Sequence, residues 1–171
     1  HVRIWIVIIL LVIELICFFY APSKGIVSKQ LALRSLKASL LEENLLKELY
    51  HLTERGASKY EMISLNILRL QRHFPNDKLI PALKRLKNKS MVKEQSGSWS
   101  LTEGGYAKGK RIVKLHRLWE MYLSSYLKIA PDHVHEDAET IEHIITPQLE
   151  EKLEKLLEYP ERDPHNSKIP Y

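Results

Sequence analysis

The stretch "DKLIPALKRLKNKSMVKEQSGSWSLTEGG", Asp77 to Gly105, changes its period halfway along. Up to Ser90 it reads as a helix, with Asn76 or Asp77 as the expected N-cap. Pro81 is awkward in that helix. It fits in or next to a first turn, so the helix is expected to start later than Asp77. After Ser90 the pattern becomes two short β-prone runs, Met91–Glu94 and Trp99–Leu101, joined by the turn residues Ser96-Gly97-Ser98.

Working back toward the N-terminus, "EMISLNILRLQRHF" (61–74) is a second helical stretch, broken by Pro75 and Asn76. Before it, "LLEENLLKELYHLTERG" repeats apolar residues at Leu41, Leu45, Leu49 and Leu52, and Gly56 ends it. Three helices and a two-stranded hairpin is the order of a winged helix-turn-helix, whose third helix enters the DNA major groove. That helix and its end carry Lys78, Lys84, Arg85, Lys87, Lys89 and Lys93, enough charge to neutralise several phosphates. Basic helix surfaces are also commonly just solvated, so it is the order of elements that points to DNA.

Toward the C-terminus, "GGYAKGKRIVKLHRLWEMYLSSYLK" predicts a long helix over about 102–128. It carries Ile112, Leu115, Trp119, Tyr122 and Tyr126 on one face. Then comes "HEDAETIEHI" (135–144). At about 100° per residue, His135, Glu139, Glu142 and His143 share one face, and Glu136 and Asp137 point elsewhere. His116 and Glu120, spaced i, i+4, share a face of the preceding helix. Imidazoles and carboxylates without thiolate suit Mn²⁺, Fe²⁺ or Zn²⁺. The bland alternative is a solvated acidic helix.

Charge divides the chain in the same way. Residues 1–130 carry 22 Lys and Arg against 10 Asp and Glu, and residues 131–171 carry 4 against 11. The basic part suits nucleic acid or a membrane surface. One cysteine, Cys17, excludes an intrachain disulfide. Neither an H-E-x-x-H pair, a Ser/His/Asp set, a phosphate-cradling Gly-rich loop nor a paired-Cys site occurs, so no enzyme is expected. A metallohydrolase using the same carboxylates is the weakest rival.

At the front, "IWIVIILLVIELICFFY" (4–20) is apolar except for Glu14 and is read as a transmembrane helix. Arg3 is the only basic residue before it, and Lys24, Lys29, Arg34 and Lys37 follow. The positive-inside rule therefore puts the rest of the chain in the cytoplasm. A start at His1 marks the chain as a piece of something longer.

Taken together, "RIVKLHRLWEMYL", "HVHEDAETIEHI", "LEEKLEKLLEYPERDPHNSKIP" and the winged-helix order resemble the diphtheria toxin repressor family of metal-dependent transcriptional repressors, over about residues 38–170. The resemblance implies a dimer that binds Fe²⁺ or Mn²⁺, ahead of Zn²⁺, and then a palindromic operator. It implies Glu139, Glu142 and His143 as the main regulatory metal site, with Asn44 of the first helix where relatives use Asp or Met. His116, Glu120 and His135 match a second site. Glu139, where iron-type members have Cys, leans toward Mn²⁺. Lys47 stands where manganese-type members have a second acid. "FFYAPSKGIVSKQLALR" (18–34) looks like the end of a metal ABC transporter permease, as in fusions known from Chlamydia-like bacteria.

The expectation is therefore a mainly α chain. Residues 1–20 form a transmembrane helix ending a permease, 21–38 a basic linker, 39–102 the winged helix-turn-helix with a two-stranded β wing, 103–160 a helical metal-binding and dimerisation domain, and 161–171 a tail. The expected partners are operator DNA, a second copy, the membrane through 4–20, and other subunits of a metal ABC transporter. The expected place is the inner membrane with the repressor part cytoplasmic and released by cleavage within 21–38. The rival is a cytoplasmic metal-sensing tail of the transporter that does not bind DNA.

Overall fold

The structure, a computed structural model, describes residues 2–20, 26–56, 58–71, 74–129 and 145–171. It divides into two compact units, residues 1–40 and 41–171.

In the first unit, α1 (Val2–Tyr20) is a 19-residue helix. Its described apolar side chains, from Val2 to Ile13, are all exposed. Among the described residues no helix is long and apolar enough to cross a membrane. The span expected over 4–20 is not found among them. α2 (Ile26–Arg55) is helical from Ile26, earlier than the apolar repeat at Leu41 suggests. The reason is local: residues 26–55 contain neither Gly nor Pro.

The second unit contains the rest of α2, β1 (Ile63–Ser64), α3 (Leu65–Gln71), α4 (Asn76–Asn88), β2 (Val92–Gln95), β3 (Ser98–Leu101), α5 (Glu103–Tyr126) and α6 (Pro147–Leu156). The wing has three strands rather than the expected two, in the order β1-β3-β2, all antiparallel. Ile63 lies opposite Trp99 and Ser64 opposite Ser98. The start of "EMISLNILRLQRHF" is thus strand, and its helix begins only at Leu65. Two residues carry too little periodicity to announce a strand. Burial of Ile63 in the same cluster as Trp99 decides it. Between β2 and β3, Ser96 and Gly97 have φ of 49° and 76°. That double left-handed geometry is what a two-residue hairpin loop matching the strand twist requires.

α4 starts earlier than Pro81 suggested. Pro75 precedes the helix, and its carbonyl accepts hydrogen bonds from Lys78 (2.9 Å) and Leu79 (3.1 Å). Neither Asn76 nor Asp77 is the N-cap, and Pro81 lies inside the helix. One i→i−4 bond is lost there. Packing offsets it: Leu79, Ala82, Leu83 and Leu86 are buried on the inner face of α4. With Leu45, Leu46 and Leu49 of α2, Leu68 of α3, Trp99 and Leu101 of β3, and Ile112 and Val113 of α5, they form the main core. A smaller cluster joins Leu118 of α5, Leu153 of α6 and Ile169. α5 therefore belongs to both.

The junction between wing and α5 is tight. Thr102 caps α5: its Oγ1 accepts from the Gly105 backbone N–H at 3.1 Å and donates to the Ser90 carbonyl at 2.7 Å. A Cβ on Gly105 would run into the Met91 carbonyl, and one on Gly109 would come within 2.8 Å of the Leu46 carbonyl. Both obstacles are backbone, so neither can give way cheaply. Gly105→Ala should destabilise the chain by roughly 2 kcal/mol or more, read as a lower thermal midpoint. An unchanged midpoint would mean that this junction is looser than described here.

Candidate functional site

One face of α2 lines up Asn44, Lys47, Glu48, His51 and Glu54, at the helical spacings of three and four. Several of these side chains engage a different element.

At the level of α4, Glu42 is buried. Its Oε1 accepts from Arg85 Nε and its Oε2 from Lys89 Nζ, both at 2.6 Å. Burial pushes the Glu42 carboxyl up, but these bonds outweigh it and hold the group below its ordinary range. Of the side chains expected to contact DNA, Arg85 and Lys89 thus pair with Glu42 of α2, while their own side chains stay 41% and 57% exposed. Lys87 pairs with Glu94 of β2 at 2.9 Å. Lys78 and Lys84 are exposed on α4. A second basic feature, missed in the sequence, lies beside the wing. Lys59 sits over the rings of Tyr60 (5.2 Å) and Tyr106 (4.3 Å), and Lys93 lies 5.7 Å from the Tyr60 ring.

Further along α2, the Asn44 Oδ1 is fully shielded from solvent and has no hydrogen-bond partner among the described residues. An acceptor left in that state is costly unless something with positive charge or a donor reaches it. It therefore fits a cation. The side chains expected to complete that site, Glu139, Glu142 and His143, lie outside the described residues, as do His135 and the acidic helix itself.

Of the second expected set, His116, Glu120 and His135, the first two are described. Both side chains are buried on α5. His116 Nε2 lies 3.1 Å from Glu120 Oε1, and His116 Nδ1 lies 3.0 Å from Lys47 Nζ. Both ring nitrogens are therefore engaged. An ammonium has only donors, so Nδ1 must accept and Nε2 carries the proton toward Glu120. Among the described residues, no group of three or more His, Cys, Asp or Glu is arranged to hold a metal ion.

Beside this row lies a cavity of about 460 Å³, lined by Glu48, His51, Glu54, His116, Glu120 and His165 among others. Arg117 forms its wall. One guanidinium nitrogen donates to Glu54 Oε1 at 3.0 Å and to the Lys168 carbonyl at 2.6 Å, and another donates to Glu54 Oε2 at 2.9 Å. The Asp163 carboxylate is 3.6 Å away. The C-terminal strap is thus clamped between α2 and α5. Nothing in the spacing of Glu54, Arg117 and Asp163 announces this in the sequence. Burial tends to raise the Glu54 carboxyl, but His51 and Arg117 outweigh that and hold it at about 2.

Residues 102–171 match the family model described as "Iron dependent repressor, metal binding and dimerisation domain". The chain is 32% identical, over 93% of its length, to a protein of Chlamydia trachomatis named "Probable metal transport system membrane protein", and it spans 36% of that protein. Two solved structures share the fold over 76% of the chain. The manganese regulator SloR is 30% identical with a TM-score of 0.66, and the chain covers 59% of it. A manganese-dependent transcriptional repressor in complex with manganese is 27% identical with a TM-score of 0.67, and 58% of it is covered. The resemblance to iron- and manganese-dependent repressors is thus established, in residues 102–171 and in the fold.

The Glu54 carboxyl sits below its ordinary value of 4.5. The clamp should therefore contribute its full stabilisation above that pH and lose it as pH falls toward 2. Amide hydrogen exchange of residues 161–171 should accelerate over that window. Glu54→Gln should show fast exchange at every pH. Slow exchange in that variant at pH 7 would remove Glu54 from the clamp.

Proposed function

We propose that the chain is the sensing end of a metal transport protein: a metal-dependent transcriptional repressor that binds operator DNA as a dimer when loaded with Fe²⁺ or Mn²⁺. Residues 39–102 read the DNA and residues 103–160 bind metal and dimerise. Asn44, Glu139, Glu142 and His143 hold the regulatory ion. The single observation carrying this reading is the shielded Asn44 Oδ1, without a hydrogen-bond partner among the described residues, on the same helix as the carboxylate gripping the recognition helix.

When bound, the cation supplies the positive charge that lets a neutral amide and several carboxylates share one site. The chain's own residues do the rest. α2 carries Asn44 two positions after Glu42, and Glu42 holds Arg85 and Lys89 at the end of α4. Whatever fixes α2 thereby fixes the base of the recognition helix. Two such helices in a dimer must stand about one DNA turn apart, so a fixed orientation favours operator binding over loose arrangements. The aromatic row on α5 supports a dimer. Trp119 and Tyr122 stack at 4.9 Å and Tyr122 and Tyr126 at 5.3 Å, and Tyr126 is exposed. The exposed apolar side chains of α1 support its attachment to membrane-embedded sequence, as the name of the Chlamydia trachomatis relative suggests. Cleavage within 21–38 would release the reader from the membrane.

The rival, a metal-sensing tail that never meets DNA, draws support from the pairing of Arg85 and Lys89 with Glu42. A mobility-shift assay with and without Mn²⁺ or Fe²⁺ separates the two. The repressor reading expects a metal-dependent shift that Asn44→Ala weakens at least about tenfold and that Glu142→Ala or His143→Ala abolishes. A metal-stimulated shift that survives all three would sink the site. Lys84→Ala should weaken binding to all sequences alike and reduce the salt slope by about one. An unchanged slope would take Lys84 out of the phosphate contacts.

A further inference from the structure

The buried row between α2 and α5 has the composition of a cation site and already contains a cation. Glu120 Oε1 accepts the contact from His116 Nε2 at 3.1 Å and lies 3.8 Å from His165 Nε2. Glu48 and His51 line the same cavity. Carboxylates and imidazoles gathered in this way are the ligand types that divalent first-row metals take. Lys47 reaches into the row from α2, 1% exposed, with Nζ on His116 Nδ1. A buried ammonium needs compensating partners, and these groups are on hand to provide them.

We propose that Lys47 is a tethered cation standing in for a second metal ion, so that the chain binds one divalent cation and leaves His116 and Glu120 unmetallated. This rests on the repressor reading for the site at Asn44 and adds to it the stoichiometry. The logic is electrostatic and geometric. A divalent ion next to His116 would face a like charge at short range in a poorly solvated place. It would also have to displace Lys47 from the nitrogen it would bind. A Lys provides this charge permanently, so the α2–α5 contact holds whether or not metal is abundant. Only the site at Asn44 is left to respond to metal.

The test is manganese binding to the whole chain, by equilibrium dialysis with elemental analysis, using Mn²⁺ alone as probe. Circular dichroism should check each variant's fold. The wild type should bind about one Mn²⁺ per chain, and Lys47→Glu about two. The added ion should vanish in Lys47→Glu combined with His116→Ala. If Lys47→Glu does not fold, Lys47→Gln removes the charge with little change in volume and should admit a second, weaker ion. A wild type that binds two ions and loses one in His116→Ala would overturn the tethered-cation proposal while sparing the repressor reading. Binding of no ion by the wild type and one by Lys47→Glu would support the proposal and overturn the regulatory site at Asn44. Equal stoichiometry in the wild type and both Lys47 variants would overturn the proposal.

Discussion

The contact between Lys47 of α2 and His116 of α5 joins the two helices through side chains that are both buried. A lysine at 1% exposure cannot be accommodated without partners. The imidazole of His116 accepts one of its protons and passes the polarity on to Glu120. Removing any member leaves a buried polar group behind, so the row acts as a unit rather than as separable pairs. Its position explains why α2 and α5 must keep their register. A shift of one residue on either helix would turn the row out of the interface.

α2 is the element on which the rest converges. Glu42 serves the recognition helix, Lys47 serves α5, and Glu54 serves the clamp on the C-terminal strap. Asn44 sits between the first two with its oxygen unsatisfied among the described residues. α2 thus engages α4, α5 and the Arg117 clamp at once. The tight backbone approach at Gly109 brings α5 against the Leu46 carbonyl of α2.

The legible part of this chain was the part written in local periodicity. The period change after Ser90 gave the hairpin, and Leu41, Leu45, Leu49 and Leu52 gave the inner face of α2. The spacing of Ile112 and Leu115 gave the buried face of α5. Pro81 misled about where α4 begins. Its cost is local, and the burial of Leu79, Ala82, Leu83 and Leu86 overrides it. β1 was invisible because two residues cannot show a period. Lys47 was read only as a missing acid, and no local pattern could show it bonded to a histidine 69 positions away.

By itself, then, the sequence determined the order of helices and hairpin, the division of charge between a basic body and an acidic end, and which side chains are chemically able to bind metal or phosphate. These are properties of spacing and residue type, which the chain carries before it folds. Only the tertiary structure decided how those side chains are used. It paired Arg85 and Lys89 with Glu42, joined Arg117 to Glu54 and to the Lys168 carbonyl, and set Lys47 against His116. Such pairings form between residues distant in the chain, and the burial of the core between α2, α4 and α5 sets the distances at which they can form.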